Sequence, residues 1–290
     1  MVLDNITSLA AATPASLQGE LADLYLDLLK KCLTRYLFTE RWQIVEWPRG
    51  TLKSHLWWVL RMILRRKEYK LARARAFDSS ACAEGRDRPA EAETMVGLRR
   101  LDNVQQCIRD VLDWGVSGDL VECGVWRGGV TIFMRACLEA YGDKTRRVWV
   151  ADSFQGLPQP NPEAYPADAS PDLWRLPSLA VPLDEVKSNF AKYGLLDDRV
   201  RFLAGWFSET LPVAPMERLA VLRIDADLYE STMNALKWLH PKVSNGGYVI
   251  VDDYFLLAPC RQAVDDFRMR NHIDAPLRRI DWNAGYWRKA

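Results

Sequence analysis

Two acidic groups near the end of the chain, Asp225-Ala-Asp227 and Asp252-Asp253, have the type and spacing to hold a cation. Each follows a short apolar run, LAVLRI before the first and YVIV before the second, so each sits where a strand ends. If the two strands are neighbours, their tips lie about 5 Å apart, and Asp225, Asp252 and Asp253 can converge on one point. Three carboxylates cannot share a dry site as anions unless a cation neutralises them. An all-oxygen set with no His or Cys favours Mg2+, or else Ca2+ or Mn2+, over zinc. A metal held there would lower the pKa of a bound hydroxyl, and a carboxylate such as Asp225 could take the proton. The competing reading makes some of these aspartates helix caps, Asp227 most readily.

A second group lies upstream, in Glu122-Cys-Gly124-Val-Trp-Arg127-Gly128-Gly129. Glycines after a strand let the backbone turn tightly and approach a ligand. The spacing is not G-x-G-x-x-G, and Glu122 would repel a pyrophosphate yet attract an ammonium group, as in S-adenosylmethionine. The alternative is a plain salt bridge from Glu122 to Arg127. Asp152, thirty residues further on, suits hydrogen bonding to ribose hydroxyls, which fits NAD and S-adenosylmethionine alike. After the next strand, Gly205-Trp206-Phe207 brings aromatic faces that could cover an adenine or simply fill the core.

These groups must be positioned by strands alternating with helices. Strands are expected at Asp119–Cys123, Arg147–Ala151, Val200–Ala204, Leu219–Ile224 and Tyr248–Val251. Helices are expected at Val130–Tyr141, Leu183–Tyr193, about Ser231–His240 and Pro259–Arg270. That alternation predicts an α/β fold with a mostly parallel sheet, and ligands bind outside the carboxyl ends of such strands. Leu277–Asp281 and Gly285–Arg288 read as a closing hairpin that adds an antiparallel strand. Before residue 116 the chain reads as a helical extension, with helices at Leu21–Tyr36, Lys53–Arg75 and Leu98–Trp114 and a polar loop at Asp78–Pro89. The division expected is 1–115 for this extension with lid elements and 116–290 for the ligand-binding domain. Phe154–Val181, with six prolines and no clear strand, reads as a loop closing over an acceptor.

With 290 residues, 49% hydrophobic and 27% charged, the chain is an ordinary globular one. A net charge of +1 gives no field to draw in nucleic acid. Six cysteines without C-x-x-C spacing read as reduced thiols, which with no evident signal peptide or transmembrane run points to the cytoplasm. The segment 53–75 holds eight Lys/Arg and one Glu beside HLWWVLRMIL, a combination suited to peripheral membrane contact or to a helix laid on the domain. An NAD-dependent oxidoreductase would share the sheet but should show tighter glycine spacing and a His or Tyr-Lys acid/base pair. A non-catalytic S-adenosylmethionine-binding protein is the other alternative.

Six segments in order, Asp119–Gly129, Val148–Pro158, Gly205–Pro212, Arg223–Thr232, Gly246–Tyr254 and Ile280–Arg288, resemble the macrocin O-methyltransferase (TylF-like) family. Leu24–Leu33, Glu84–Asp87 (EGRD) and Thr94–Asn103 are similar too, so the likeness runs from about Leu24 to Lys289. The resemblance implies a class I methyltransferase fold with a seven-stranded Rossmann-like sheet. It implies S-adenosylmethionine and Mg2+ as cofactors and a hydroxyl of a sugar or natural-product glycoside as acceptor. Carried over by position, Asp225, Asp252 and Asp253 would bind the metal, with Asp225 the general base. Glu122, Gly124, Arg127, Gly128, Gly129, Asp152, Ser153 and Trp206 would form the cofactor site, with Thr94 and Met95 closing over it. The family's tendency to assemble implies a homo-oligomer.

Overall fold

Apolar side chains alternate between the two faces of the central strands, and that alternation lays out the whole molecule. A computed structural model describes residues 14–44, 62, 72–87, 89–169 and 172–290. The N-terminal elements are α1 (Pro14–Leu33), β1 (Arg41–Ile44), β2 (Ala72–Arg75), α2 (Ser79–Ala83) and α3 (Leu98–Asp113). Then come β3 (Asp119–Cys123), α4 (Gly129–Ala140), β4 (Val148–Asp152), α5 (Leu183–Lys192), β5 (Val200–Ala204) and α6 (Phe207–Thr210). The chain ends with β6 (Leu219–Ile224), α7 (Tyr229–Leu239), β7 (Val243–Val251), α8 (Ala258–Arg270), β8 (Arg278–Arg279) and β9 (Gly285–Arg288).

Seven strands form one sheet in the order β5-β4-β3-β6-β7-β9-β8. Strands β3 to β7 run parallel, and β9 pairs antiparallel with both β7 and β8. The expected α/β fold with an antiparallel closing hairpin is therefore present. Leu120, Val148, Val150, Tyr248 and Ile250 face one core, shared with Leu26, Leu29 and Leu33 of α1 and Ile132 and Phe133 of α4. Val121, Trp149, Ala151, Val249 and Val251 face the other, with Leu236 and Leu239 of α7 and Val264 and Phe267 of α8. Residues two apart share a face, so one period-two pattern makes both cores.

Two expectations fail in the N-terminal part. The helix expected over Lys53–Arg75 ends in a strand: Ala72–Arg75 pairs antiparallel with Arg41–Ile44, and the preceding residues, apart from Met62, lie outside those described. The cause is a shared anchor, because buried Asp87 takes Arg41 of one strand at 2.7 Å and Arg75 of the other at 3.6 Å. The polar loop expected at 78–89 contains α2, started by Asp78, whose carboxylate accepts the Ala81 N–H at 2.9 Å.

The six cysteines are free thiols, five of them buried. No described helix is long and apolar enough to cross a membrane. The long connection 154–181 contains short 3-10 turns at Pro166–Ala169, Asp172–Arg175 and Pro177–Leu179. Hydrogen bonds of its described residues pin it to the rest of the molecule. Asp168, buried, accepts the N–H groups of Tyr229 and Glu230 at the start of α7 (2.6 and 3.0 Å), and the Trp126 indole donates to the Ser178 carbonyl at 2.8 Å.

At the far end of α7, His240 stacks edge-on against Phe267 (5.2 Å) and lies 6.3 Å from Trp287. Burial, reinforced by nearby Lys289 and Arg268, lowers its pKa to about 4. Between there and the ordinary value near 6.5 the unfolded chain binds the extra proton, so stability is present above that window and falls as pH drops through it. His240→Gln is expected to flatten this dependence by about 2 kcal/mol between pH 7.5 and pH 5. Urea midpoints at pH 5 and pH 7.5 for both proteins check it. Parallel pH curves would contradict it.

Candidate active site

The carboxyl ends of the parallel strands open into a cavity of about 450 Å3. Gly124, Asp152 and Ser153 line it from the tips of β3 and β4, and Trp206 and Phe207 from beyond β5. Asp225 and Asp227 line it after β6, Glu230, Ser231 and Asn234 from α7, and Leu157, Gln159 and Leu179 from the long connection. Met95 closes one side from the N-terminal part.

Gly124 is demanded by geometry. Its φ is +85°, and a Cβ there would lie 1.8 Å from the carbonyl oxygen of Asp225. The backbone of the glycine loop thus touches the tip of β6, which sets the two sequence groups side by side. Asp152 ties the same loop down, its carboxylate accepting Val125 N–H at 2.7 Å and Phe154 N–H at 2.8 Å. Burial pushes that carboxyl above its ordinary range despite these bonds.

Of the expected cofactor residues, Gly124, Asp152, Ser153, Trp206 and Met95 line the cavity, whereas Glu122, Arg127, Gly128, Gly129 and Thr94 are absent from its lining. Arg127, Gly129 and Thr94 join the N-terminal segment to the glycine loop, while Gly128 lies against Val186 of α5. Arg127 donates to the carbonyls of Ala90 and Ala92, and Gly129 N–H donates to Glu93 at 3.0 Å. A Cβ on Gly129 would fall 2.7 Å from that of Thr94.

Glu122 points elsewhere. It is 1% exposed and pairs with Arg223, its registered neighbour on β6, while Arg127 pairs with Glu185 at 3.5 Å. The Glu122–Arg127 bridge is therefore not formed. Burial pushes the Glu122 carboxyl up to about 8, with Asp225 and Asp252 adding to the rise and Arg223 opposing it.

Asp225, Asp252 and Asp253 do converge, each offering an oxygen within 4.8 Å of the others. The three differ in environment. Asp225 reaches the cavity with a side chain 29% exposed, and Arg223 Nη1 donates to its Oδ2 at 3.0 Å. Its pKa is raised, by burial first and by the Asp252 charge second. Burial works against ionisation of Asp252 as well, but the guanidiniums of Arg100 and Arg223 outweigh it and hold the pKa low. Asp253 is pushed far up by burial and by Asp227, Asp225 and Asp252. Its Oδ1 accepts Asn283 Nδ2 at 3.1 Å, and its buried Oδ2 has no partner.

Four carboxyl groups, from Glu122, Asp225, Asp252 and Asp281, thus share two guanidiniums, from Arg100 and Arg223, and Asp253 stands beside them with only the Asn283 amide. A buried oxygen without a partner amid surplus negative charge fits a hard cation coordinated by oxygen.

Sequence reasoning missed both arginines. Arg223 left a signal, a charge inside the otherwise apolar run LAVLRI. Also missed is the backbone at the strand tips, where Trp126, Phe154 and Asp227 have φ of +48°, +57° and +56°. Non-glycine residues in the left-handed region gather where surrounding structure enforces them, often at functional sites.

Comparison with known proteins now gives the family. Residues 22–289 match the family model described as Macrocin-O-methyltransferase (TylF). The chain is 48% identical over 271 residues to the 8-demethyl-8-(2,3-dimethoxy-alpha-L-rhamnosyl)-tetracenomycin-C 4'-O-methyltransferase of Streptomyces olivaceus, covering 92% of each chain. It is 54% identical over 207 residues to the demethyldecarbamoylnovobiocin O-methyltransferase of Streptomyces niveus, covering 71% of this chain and 79% of that one. The solved structure of the O-methyltransferase NovP superposes with a TM-score of 0.79 at 44% identity, over 93% of this chain and 99% of its own. The chain belongs to the macrocin O-methyltransferase family. Its fold is that of the class I methyltransferases, and as an enzyme it is an O-methyltransferase, which displaces the NAD-dependent and non-catalytic alternatives.

Proposed function

We propose that the protein methylates a hydroxyl of a sugar carried on a natural product, using S-adenosylmethionine and Mg2+. The observation that carries this reading is the convergence of Asp225, Asp252 and Asp253 beside the cavity, with a buried oxygen of Asp253 left unpaired. Bound S-adenosylmethionine supplies the methyl group on a sulfonium, and a divalent ion held by the three aspartates supplies acidity for the acceptor hydroxyl.

The chain's own residues do the rest. Asp152 and Ser153 lie where ribose hydroxyls would bond, and Gly124 lets the backbone approach the methionine part. Trp206 offers an apolar face for the adenine. Glu122 serves the site through Arg223 rather than by touching the cofactor. Asp225 takes the hydroxyl proton at a carboxylate oxygen. Arg223 Nη1 donates to its Oδ2 and fixes its orientation. Met95 and the connection bearing Leu157 and Leu179 cover the cavity and keep water out.

Two features support a sugar acceptor. Asp227, Gln159, Glu230 and Asn234 give the cavity a polar wall suited to hydroxyls, and the aromatic residues Trp206 and Phe207 supply apolar surface. The Streptomyces olivaceus relative is named for methylating a rhamnosyl tetracenomycin.

The test is incubation with S-adenosylmethionine, Mg2+ and a panel of deoxysugar glycosides, read by product mass. Methylated glycoside is expected. Methylation confined to phenols or free amines would overturn the substrate class.

A further inference from the structure

Two family-like segments, EGRD at 84–87 and the turn at 281–284, contribute nothing to the cavity lining, yet they meet behind it. Trp282 Nε1 donates to the Glu84 carbonyl at 2.7 Å, and the Arg86 guanidinium lies 4.6 Å over the Trp282 ring. Gly97 packs so closely on this segment that a Cβ there would be 2.2 Å from Gly85 N. That contact delivers the first turn of α3, and with it Arg100, to the carboxyl tip of β7.

Arg100 is 3% exposed. Its Nη1 donates to Asp252 Oδ2 at 2.6 Å and its Nε to Asp281 Oδ2 at 2.8 Å. The other oxygen of Asp281 accepts the N–H groups of Asn283 (2.8 Å) and Ala284 (2.9 Å), which holds the turn in shape. Asn283 then donates to Asp253 Oδ1 at 3.1 Å and leaves Oδ2 unpaired. One chain of fixed bonds therefore runs from α3 through the turn to both aspartates that follow β7.

We infer that Arg100 is a positioning residue for the cation site, acting with Asp281 and Asn283 to aim the oxygens of Asp252 and Asp253. This rests on the reading of Asp225, Asp252 and Asp253 as metal ligands. Outer groups that orient ligand side chains typically change metal affinity by about 10–100-fold when altered. A planar guanidinium holds two carboxylates at fixed angles, and an ammonium does not. Charge alone makes a different demand: Lys would match Arg, and a neutral residue would tighten cation binding by removing a competing positive charge.

Mn2+ binding, followed by electron paramagnetic resonance of the free ion, separates these possibilities without any turnover. Arg100→Lys and Arg100→Gln are both expected to weaken Mn2+ binding about tenfold or more, with S-adenosylmethionine affinity within about threefold of wild type. Wild-type Mn2+ affinity in Arg100→Lys, or tighter binding in Arg100→Gln, would overturn the inference. If both variants lose their folded circular dichroism, Trp282→Phe decides, since it keeps an aromatic ring beneath Arg86 and removes the indole N–H that bonds Glu84. A loss of about threefold in Mn2+ affinity is expected there, and an unchanged value would overturn the inference. Wild-type protein that binds no Mn2+ would instead remove the metal reading on which the inference stands.

Discussion

Asparagine in place of Asp225 is expected to lower turnover by about a thousandfold or more while S-adenosylmethionine affinity shifts by less than about fivefold. The substitution keeps the shape of the side chain and an oxygen for Arg223, so the packing around β6 has little reason to change. What it removes is the negative charge, and with it both a proton acceptor and a cation ligand at the one member of the trio that reaches the cavity. A thousandfold corresponds to about 4 kcal/mol of barrier, within what a general base and a Lewis-acid site together supply. Single-turnover methyl transfer and calorimetric titration of the cofactor measure the two quantities. Asp227 is the instructive control because it also lines the cavity. Activity kept in Asp225→Asn but lost in Asp227→Asn would move the base two residues along the chain.

Methionine in place of Arg223 is expected to cost about 3–5 kcal/mol of stability, the usual penalty for removing one partner of a buried ion pair. Arg223 is 1% exposed and serves Glu122, Asp225 and Asp252 at once, so its loss leaves two buried acids and the partly exposed Asp225 with one neighbouring cation, Arg100. Urea denaturation with excess chelator reads the loss directly. Added Mg2+ should return part of it, since an ion that binds only the folded chain stabilises by mass action. Glu122→Gln should cost far less. Burial already works against the charged form of that carboxyl, pushing it up to about 8, so a neutral isostere gives up less there than at Arg223. A midpoint for Arg223→Met close to wild type would show that the acids are solvated rather than held by this guanidinium.

The sheet was legible because its signal is local. Asp119–Cys123, Val200–Ala204, Leu219–Ile224 and Gly285–Arg288 are apolar or alternating runs bounded by turn residues, and the strands have those limits. The start of β7 was not legible. Val243–Gly247 carries Ser, Asn and two glycines, and a register irregularity against β6 lets it pair despite that composition. The β1–β2 ribbon was hidden for another reason: its anchor, Asp87, lies outside both strands and binds an arginine from each. At the site, the three aspartates could be read because each simply follows a strand. The destination of Glu122 could not. Which residue stands beside it depends on β6 being the neighbour of β3, a property of strand order, and that order puts Arg223 opposite Glu122 on the same face. Arg100 is harder still, since it meets Asp252 across a sequence separation of 152 residues.

The most direct measurement is methyl transfer to a glycoside acceptor by protein stripped of divalent cations and assayed in excess chelator, before and after Mg2+ is restored. Product at background level before restoration, and full turnover after it, is the expected result. Undiminished turnover in the chelator would mean that Asp225, Asp252 and Asp253 gather for some purpose other than holding an ion.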